Sequence, residues 1–305
     1  MRVENVERKV AQNSEIFRSI VLGIARAIFV EGESSTQCSL FSMPNGRECG
    51  AVVGVPLNAH LENDLPAIAA RVTARTRAIY IVNPHNPSGT ASEAVPFKAF
   101  LSEMTKRTTV IVDEAYLEFE PDFAQKTAAE LTRSGANVIV FRTFGKIYGL
   151  AGMSIGYAVA PKGAAASLKR NGLGAAHSLN RLAVAAAAAS RRDPGYVDRM
   201  RLNVVEERQK WHTLLDTLGR RRSDSRGNFV FFETGQPHEM IAAQLIREGI
   251  EIARAFPPFD LPRRIFYSRS DHSLNDSNFP NFKFDMRQPP QVTSRLCIRR
   301  CRCSH

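Results

Sequence analysis

Long hydrophobic runs are missing from this chain of 305 residues. A membrane-spanning helix needs about 20 consecutive apolar residues, and the most apolar stretch, Ile16–Val30, is interrupted by Arg18 and Arg26. No transmembrane helix is expected. The first nine residues carry Glu4 and Glu7 and are not followed by an apolar segment with a cleavage site, so a signal peptide is not expected and a cytoplasmic location is. Cysteine is scarce: of five, Cys297, Cys301 and Cys303 lie in the last nine residues. That distribution excludes a disulfide framework across the chain. The three tail cysteines with His305 lack the paired C-x-x-C spacing of common zinc sites, and no metal is expected. No internal repeat is visible.

Acidic residues are also in deficit, with a formal net charge of +11. The excess is uneven. Residues 261–305 hold nine Lys/Arg against three Asp, a net of +6, which leaves only +5 for the 260 residues before them. Aromatic and basic residues are not interleaved in that tail as a nucleic-acid reader requires, so no nucleic-acid partner is expected.

With 44% hydrophobic residues the chain can bury a sizeable core. Unbroken apolar runs at Ala78–Val82, Thr109–Asp113 and Asn137–Phe141 predict buried strands. Further strands are predicted at Ala51–Leu57, Ile155–Ala160 and Asn228–Glu233. Helical periodicity occupies Ser14–Phe29, Leu65–Thr76, Ala94–Thr105, Phe123–Ser134, Leu179–Arg191, Tyr196–Leu218 and His238–Glu248. Strands alternating with helices imply crossover connections, so the class is α/β with a mostly parallel sheet covered on both faces. From Phe266 the hydrophobic periodicity is lost.

Ligands collect at the carboxyl ends of strands in such sheets, and three clusters sit there. Asn83-Pro84-His85-Asn86-Pro87-Ser88-Gly89-Thr90 follows the first buried strand. Its prolines and glycine rigidify a turn able to present the Asn86 carboxamide to a ligand oxygen, and an ordinary strand-to-helix loop gives the same pattern. Asp113-Glu114-Ala115-Tyr116 ends the second strand. A carboxylate there needs a cation or a donor to offset its burial; a pyridinium nitrogen is one such partner, a helix N-terminus another. Arg142–Gly152 follows the third strand and holds Lys146 between glycines and apolar residues, which predicts a partly desolvated amine of lowered pKa.

The clusters occur in order, Asp113 following Asn86 by 27 residues and Lys146 following Asp113 by 33. This resembles the large domain of fold-type I pyridoxal-phosphate-dependent aminotransferases. The run Arg142–Tyr157, with its G-L-A-G and I-G-Y elements, is most similar to histidinol-phosphate aminotransferase and its relatives. The resemblance implies pyridoxal 5'-phosphate as cofactor, carried by Lys146, which then moves the proton during transamination. It implies that Asp113 pairs with the pyridine nitrogen and that Asn86 and Tyr116 bond the phenolic oxygen. Phe41 matches the aromatic residue stacked on the ring, Thr143 a hydroxyl on the phosphate, and Arg254 a substrate contact. The implied domains are 13–190 for cofactor binding, an incomplete small domain at 191–262, and an atypical basic tail, expected to be disordered, at 263–305. A homodimer acting on small amino donors and 2-oxo acids is the implied assembly.

The chain also departs from that pattern. Gly145 stands where a serine commonly precedes the lysine, and Ser154 where an arginine commonly pairs with the phosphate. A hydrogen bond to a charged group contributes roughly 1.5–3 kcal/mol, about one or two orders of magnitude in affinity. The segment before Asn13 is short for the family. These departures support a second reading, a truncated, inactive or cofactor-binding-only family member; a decarboxylase of the threonine-phosphate type, using the same lysine and aspartate, is a further alternative within the same fold.

Overall fold

A computed structural model describes residues 9–12, 53–174, 179–247 and 264–268, all within one compact unit, Met1–Ser270. The expected helix at Ser14–Phe29, the aromatic Phe41 and Arg254 lie outside the described residues. A five-stranded sheet runs in the order β1-β5-β4-β3-β2. Its strands are β1 (Lys9–Gln12), β2 (Ala78–Val82), β3 (Thr109–Asp113), β4 (Val138–Thr143) and β5 (Ile155–Val159). β2, β3 and β4 are parallel. β5 pairs antiparallel with β4, and β1 antiparallel with β5, so four of the five strands run the same way, as expected of a mostly parallel sheet, and β5 is the one reversed. The cause is the connection: only residues 144–154 separate β4 from β5, too few for the helical crossover that a parallel return requires.

Side chains alternate across the three parallel strands. Ile79, Ile81, Val110, Val112, Val138 and Val140 form one apolar face. It is covered by α1 (Leu65–Arg71) through Ile68 and by α2 (Ala94–Met104) through Phe97, Phe100, Leu101 and Met104. Those four recur at i, i+3, i+4 and i+7, the stripe that buries one side of a helix. Ala78, Tyr80, Ile111, Ile139 and Phe141 form the other face, against Leu168 of α4 (Lys162–Arg170) and Leu173.

The predicted helix over Phe123–Ser134 is instead a short α3 (Phe123–Lys126) followed by a 3-10 segment at Ala128–Ser134. Buried Glu114 interrupts it by accepting the Ala128 N–H at 2.7 Å and the Thr127 hydroxyl at 2.9 Å. α1 stops at Arg71, short of Thr76, because the Thr76 and Thr73 hydroxyls accept the backbone N–H groups of Thr73 and Arg75 that would continue it. Val53–Leu57 forms no strand; Pro56 lacks a ladder donor there, and Val55 alone is sunk into the core.

Two further helices, α5 (Arg181–Ser190) and α6 (Pro194–Thr217), are capped by Asn180 and Asp193, whose side chains accept the first free N–H groups. α6 matters for the site. Its Val197, Met200 and Val204 pack on Tyr116, Phe119, Ile147, Phe229 and Phe231, joining the segments after β3 and β4 to β6 (Phe229–Glu233), which pairs with β7 (Arg264–Ser268). α7 (His238–Arg247) completes the described helices. No helix among the described residues is long and apolar enough to cross a membrane, and none of them forms a cluster of three or more metal-ligating side chains.

Candidate active site

Register brings the three sequence clusters to one level. Val82 pairs with Asp113 and Asp113 with Phe141, so β2 and β3 end together, β4 ends two residues further on at Thr143, and their following segments leave the same edge of the sheet. The turn after β2 is held from several sides. Gly89 N–H donates to His85 O at 2.6 Å and Asn83 Oδ1 accepts the Ser92 N–H at 2.8 Å. Gly89 has φ +75°, and a Cβ there would collide with Ser225, so only glycine gives the turn both its left-handed backbone and its close approach to the segment before β6. The peptide bonds Asn83–Pro84 and Asn86–Pro87 are cis. The Asn86 side chain is exposed at the edge, its Nδ2 3.5 Å from the Tyr116 hydroxyl.

Inside the turn, His85 Nδ1 lies 2.9 Å from Ser88 Oγ, which is 2.8 Å from Thr90 Oγ1; Thr90 in turn donates to Leu61 O. His85 is 4% exposed, and burial lowers its pKa from 6.5 to about 4. The folded state therefore resists a proton that the unfolded chain accepts. Stability is intact above pH 6.5 and falls as pH drops through the window toward 4. Chemical denaturation at pH 7 and pH 5 is expected to show about 2 kcal/mol more loss in the wild type than in His85→Asn.

At the end of β3 both Asp113 oxygens are engaged. Oδ1 accepts the Ala115 N–H at 3.0 Å and Oδ2 accepts the Tyr80 hydroxyl at 2.8 Å. The backbone bond is the local turn expected of a strand-end aspartate. The Tyr80 bond comes from a neighbouring strand, where a tyrosine in the otherwise aliphatic run Ala78–Val82 has a hydroxyl that must find a partner when buried. Burial raises the Asp113 pKa, opposed by the bonds from Tyr80 and Ala115 and by the charge of Lys146.

Lys146 is placed by the loop after β4, with its Nζ 4.9 Å from the centroid of the Tyr116 ring. Tyr116 is buried and set by an edge-on contact with Phe229, centroids 4.9 Å apart at 84°. Asn86, Tyr116 and Lys146 thus meet at one corner, with the charge of Lys146 acting on Asp113. The expected desolvation of Lys146 is not found: its side chain is exposed, although Phe144 and Ile147 beside it are buried. The loop turns its apolar neighbours inward and the lysine outward.

Thr143 shares the Asp113 face of the sheet; its hydroxyl accepts the Gly145 N–H at 3.0 Å and donates to Ile155 O at 3.4 Å. A Cβ at Gly145 would lie 3.3 Å from Thr143 Oγ1, so a side chain there requires Thr143 to shift. Ser154 is exposed with φ +47°, a left-handed conformation uncommon outside glycine.

On the opposite face, Arg142 donates through Nε and Nη2 to Glu114 Oε2 at 3.0 and 2.8 Å and also reaches Thr127 and Glu118. Tyr148, two residues past Lys146, donates to Glu118 Oε1 at 3.1 Å, and Arg201 of α6 donates to Glu118 O at 3.0 Å. Burial pushes the Glu114 and Glu118 carboxyls up, opposed chiefly by Arg142. Arg142 and Tyr148, on either side of Lys146, are therefore tied to one buried ion network. A cavity of about 380 Å³, lined in part by Glu118, Phe123, Arg142, Tyr148, Tyr157 and Arg191, opens onto this network rather than onto Asn86, Asp113 or Lys146.

A sheet of this order, with helices on both faces and these side chains at its C-terminal edge, is that of the fold-type I transferases. Comparison with known proteins narrows the class. A family model described as aminotransferase class I and II matches residues 45–269, and the chain belongs to that family. It is 33% identical over 211 residues to a histidinol-phosphate aminotransferase of Lactiplantibacillus plantarum, covering 69% of this chain and 58% of that protein. It is 37% identical over 205 residues to an aromatic amino acid aminotransferase of Rhodococcus opacus, covering 67% of this chain and 56% of that protein. The chain thus spans less than two thirds of these relatives' length. Histidinol-phosphate aminotransferase from Sinorhizobium meliloti, solved in complex with pyridoxal-5'-phosphate, superposes with a TM-score of 0.70 at 27% identity, covering 87% of this chain and 73% of that one.

Proposed function

We propose that this chain is a pyridoxal-phosphate-dependent aminotransferase that moves an amino group between a ring-bearing amino donor, histidinol phosphate or an aromatic amino acid, and a 2-oxo acid. The observation that carries the reading is the meeting of Asn86, Tyr116 and Lys146 beside Asp113 at the edge of three parallel strands. The donor set fits the cofactor: a carboxylate for the pyridine nitrogen, a carboxamide and a phenol for the phenolic oxygen, and an exposed amine for the aldehyde. Pyridoxal phosphate supplies the electron sink that stabilises a carbanion at the substrate's Cα.

Around it, Asp113 keeps the ring nitrogen protonated, and Asn86 and Tyr116 donate to the phenolic oxygen. Lys146 would hold the cofactor through its amine and would serve as the group that takes a proton from the amino donor's Cα and returns it. Thr143 serves the phosphate. Phe41 would stack on the ring, and Arg254 would meet the substrate. In this reading residues 13–190 form the cofactor domain, 191–262 form part of a second, smaller one, and the active form is a cytoplasmic homodimer. The relatives named above both take donors with a flat ring, which favours such donors here.

The test is a half-reaction. The chain loaded with pyridoxal phosphate is given L-histidinol phosphate or L-phenylalanine. The expected result is loss of the lysine-dependent absorbance band, recovery of pyridoxamine phosphate, and return of the band on adding 2-oxoglutarate. Release of carbon dioxide from an amino acid without pyridoxamine phosphate would make the protein a decarboxylase instead.

A further inference from the structure

We infer that Tyr80 is a positioning residue for the cofactor's pyridine nitrogen, acting through Asp113: its hydroxyl fixes the carboxylate and keeps it ionised, so that the proton shared with the ring resides on nitrogen. The inference rests on the proposed cofactor reading and adds a residue that reading does not contain.

The geometry comes from strand pairing. Tyr80 stands opposite Ile111, and Asp113 opposite Val82, so Tyr80 and Asp113 are diagonal neighbours on one face, a separation that a tyrosine side chain spans. The surroundings of the phenol are apolar: Ile111, Ile139, Phe141, Ala158 and Leu168 share its cluster, and Tyr80 itself is 9% exposed. A hydroxyl donating to a charged oxygen at 2.8 Å in such a setting makes a strong bond. With the Ala115 N–H on Oδ1, each oxygen has one fixed donor and an acceptor position left over for a ring N–H.

The consequence is control of basicity. Burial makes Asp113 a stronger base, and Tyr80 and Ala115 oppose this, as does Lys146 from the loop after β4. A more basic carboxylate would draw the proton off the ring nitrogen and weaken the electron sink; a carboxylate held by the Tyr80 hydroxyl leaves it there. Tyr80 keeps its own proton, since burial and the charge of Asp113 raise its pKa well above 10.

Tyr80→Phe retains the ring in the core and removes only the hydroxyl. The test measures binding of pyridoxal phosphate and of deazapyridoxal phosphate, in which carbon replaces the ring nitrogen, to the wild type and to this variant. The expected result is about a tenfold loss of affinity for pyridoxal phosphate in the variant, and no change beyond about twofold for the deaza analogue. Equal loss for both ligands, or loss for neither, overturns the inference. A second measurement needs no cofactor: carboxyl-carbon NMR of Asp113 in the apo chain should show its titration midpoint about one unit higher in Tyr80→Phe. An unmoved midpoint overturns the role of Tyr80 even where the cofactor binds. Wild-type protein that binds neither ligand while the midpoint moves overturns the cofactor reading instead, and with it the role at the ring nitrogen.

Discussion

Lys146→Ala is expected to abolish the visible absorbance band formed with pyridoxal phosphate and to lower the transamination rate by at least about 10²–10⁴-fold, the share of rate that a positioned proton-transfer group contributes. The substitution should leave the fold intact, because the Lys146 side chain is exposed, lying over the face of the Tyr116 ring and acting on Asp113 through its charge. Thermal unfolding should therefore coincide with that of the wild type in the absence of cofactor. A loss of rate accompanied by unfolding would assign the residue a structural part. An unchanged band would remove Lys146 from the chemistry.

Arg142→Met should have the largest effect on stability, about 3–5 kcal/mol, because it leaves Glu114 buried without its cation. Glu114 is 1% exposed, and Arg142 meets it with two guanidinium nitrogens. The arginine is not replaceable by Thr127 and the Ala128 N–H, which already bond the same carboxylate. Glu114→Gln combined with Arg142→Met should recover part of the loss, since the uncompensated charge is then gone. Urea titration measures both, with the midpoint moving and the slope held. A shift under about 1 kcal/mol for the single variant would mean that water reaches Glu114 and that the network does not anchor the lysine loop.

The strands that carry the site were legible because a fully buried parallel strand is apolar on both faces, and Ala78–Val82, Thr109–Asp113 and Asn137–Phe141 show such runs. The side chains at their ends were legible for the same reason: once the strands are found, Asn86, Asp113 and Lys146 fall at one edge, where an α/β sheet leaves room for a ligand. What local pattern hides is the effect of distant partners. Glu114 lies fourteen residues before the N–H that it takes from Ala128, and that bond splits the expected helix at Thr127.

The antiparallel return of β5 could have been read from the short stretch between Thr143 and Ile155, a matter of length rather than pattern. Tyr80 left a fainter trace, one hydroxyl in an aliphatic strand, and its partner is 33 residues away in sequence. The exposure of Lys146 left none. Its glycine and aromatic neighbours describe the loop's composition and do not say toward which side the loop turns each residue.

The central claim is that Lys146 is the residue that binds pyridoxal phosphate covalently. Borohydride reduction of the chain mixed with the cofactor, followed by peptide mapping by mass spectrometry, tests it most directly. The phosphopyridoxyl group should be found on Lys146 and on no other lysine at stoichiometric labelling. Labelling spread over surface lysines such as Lys98, Lys106 and Lys210, or absent altogether, would contradict it.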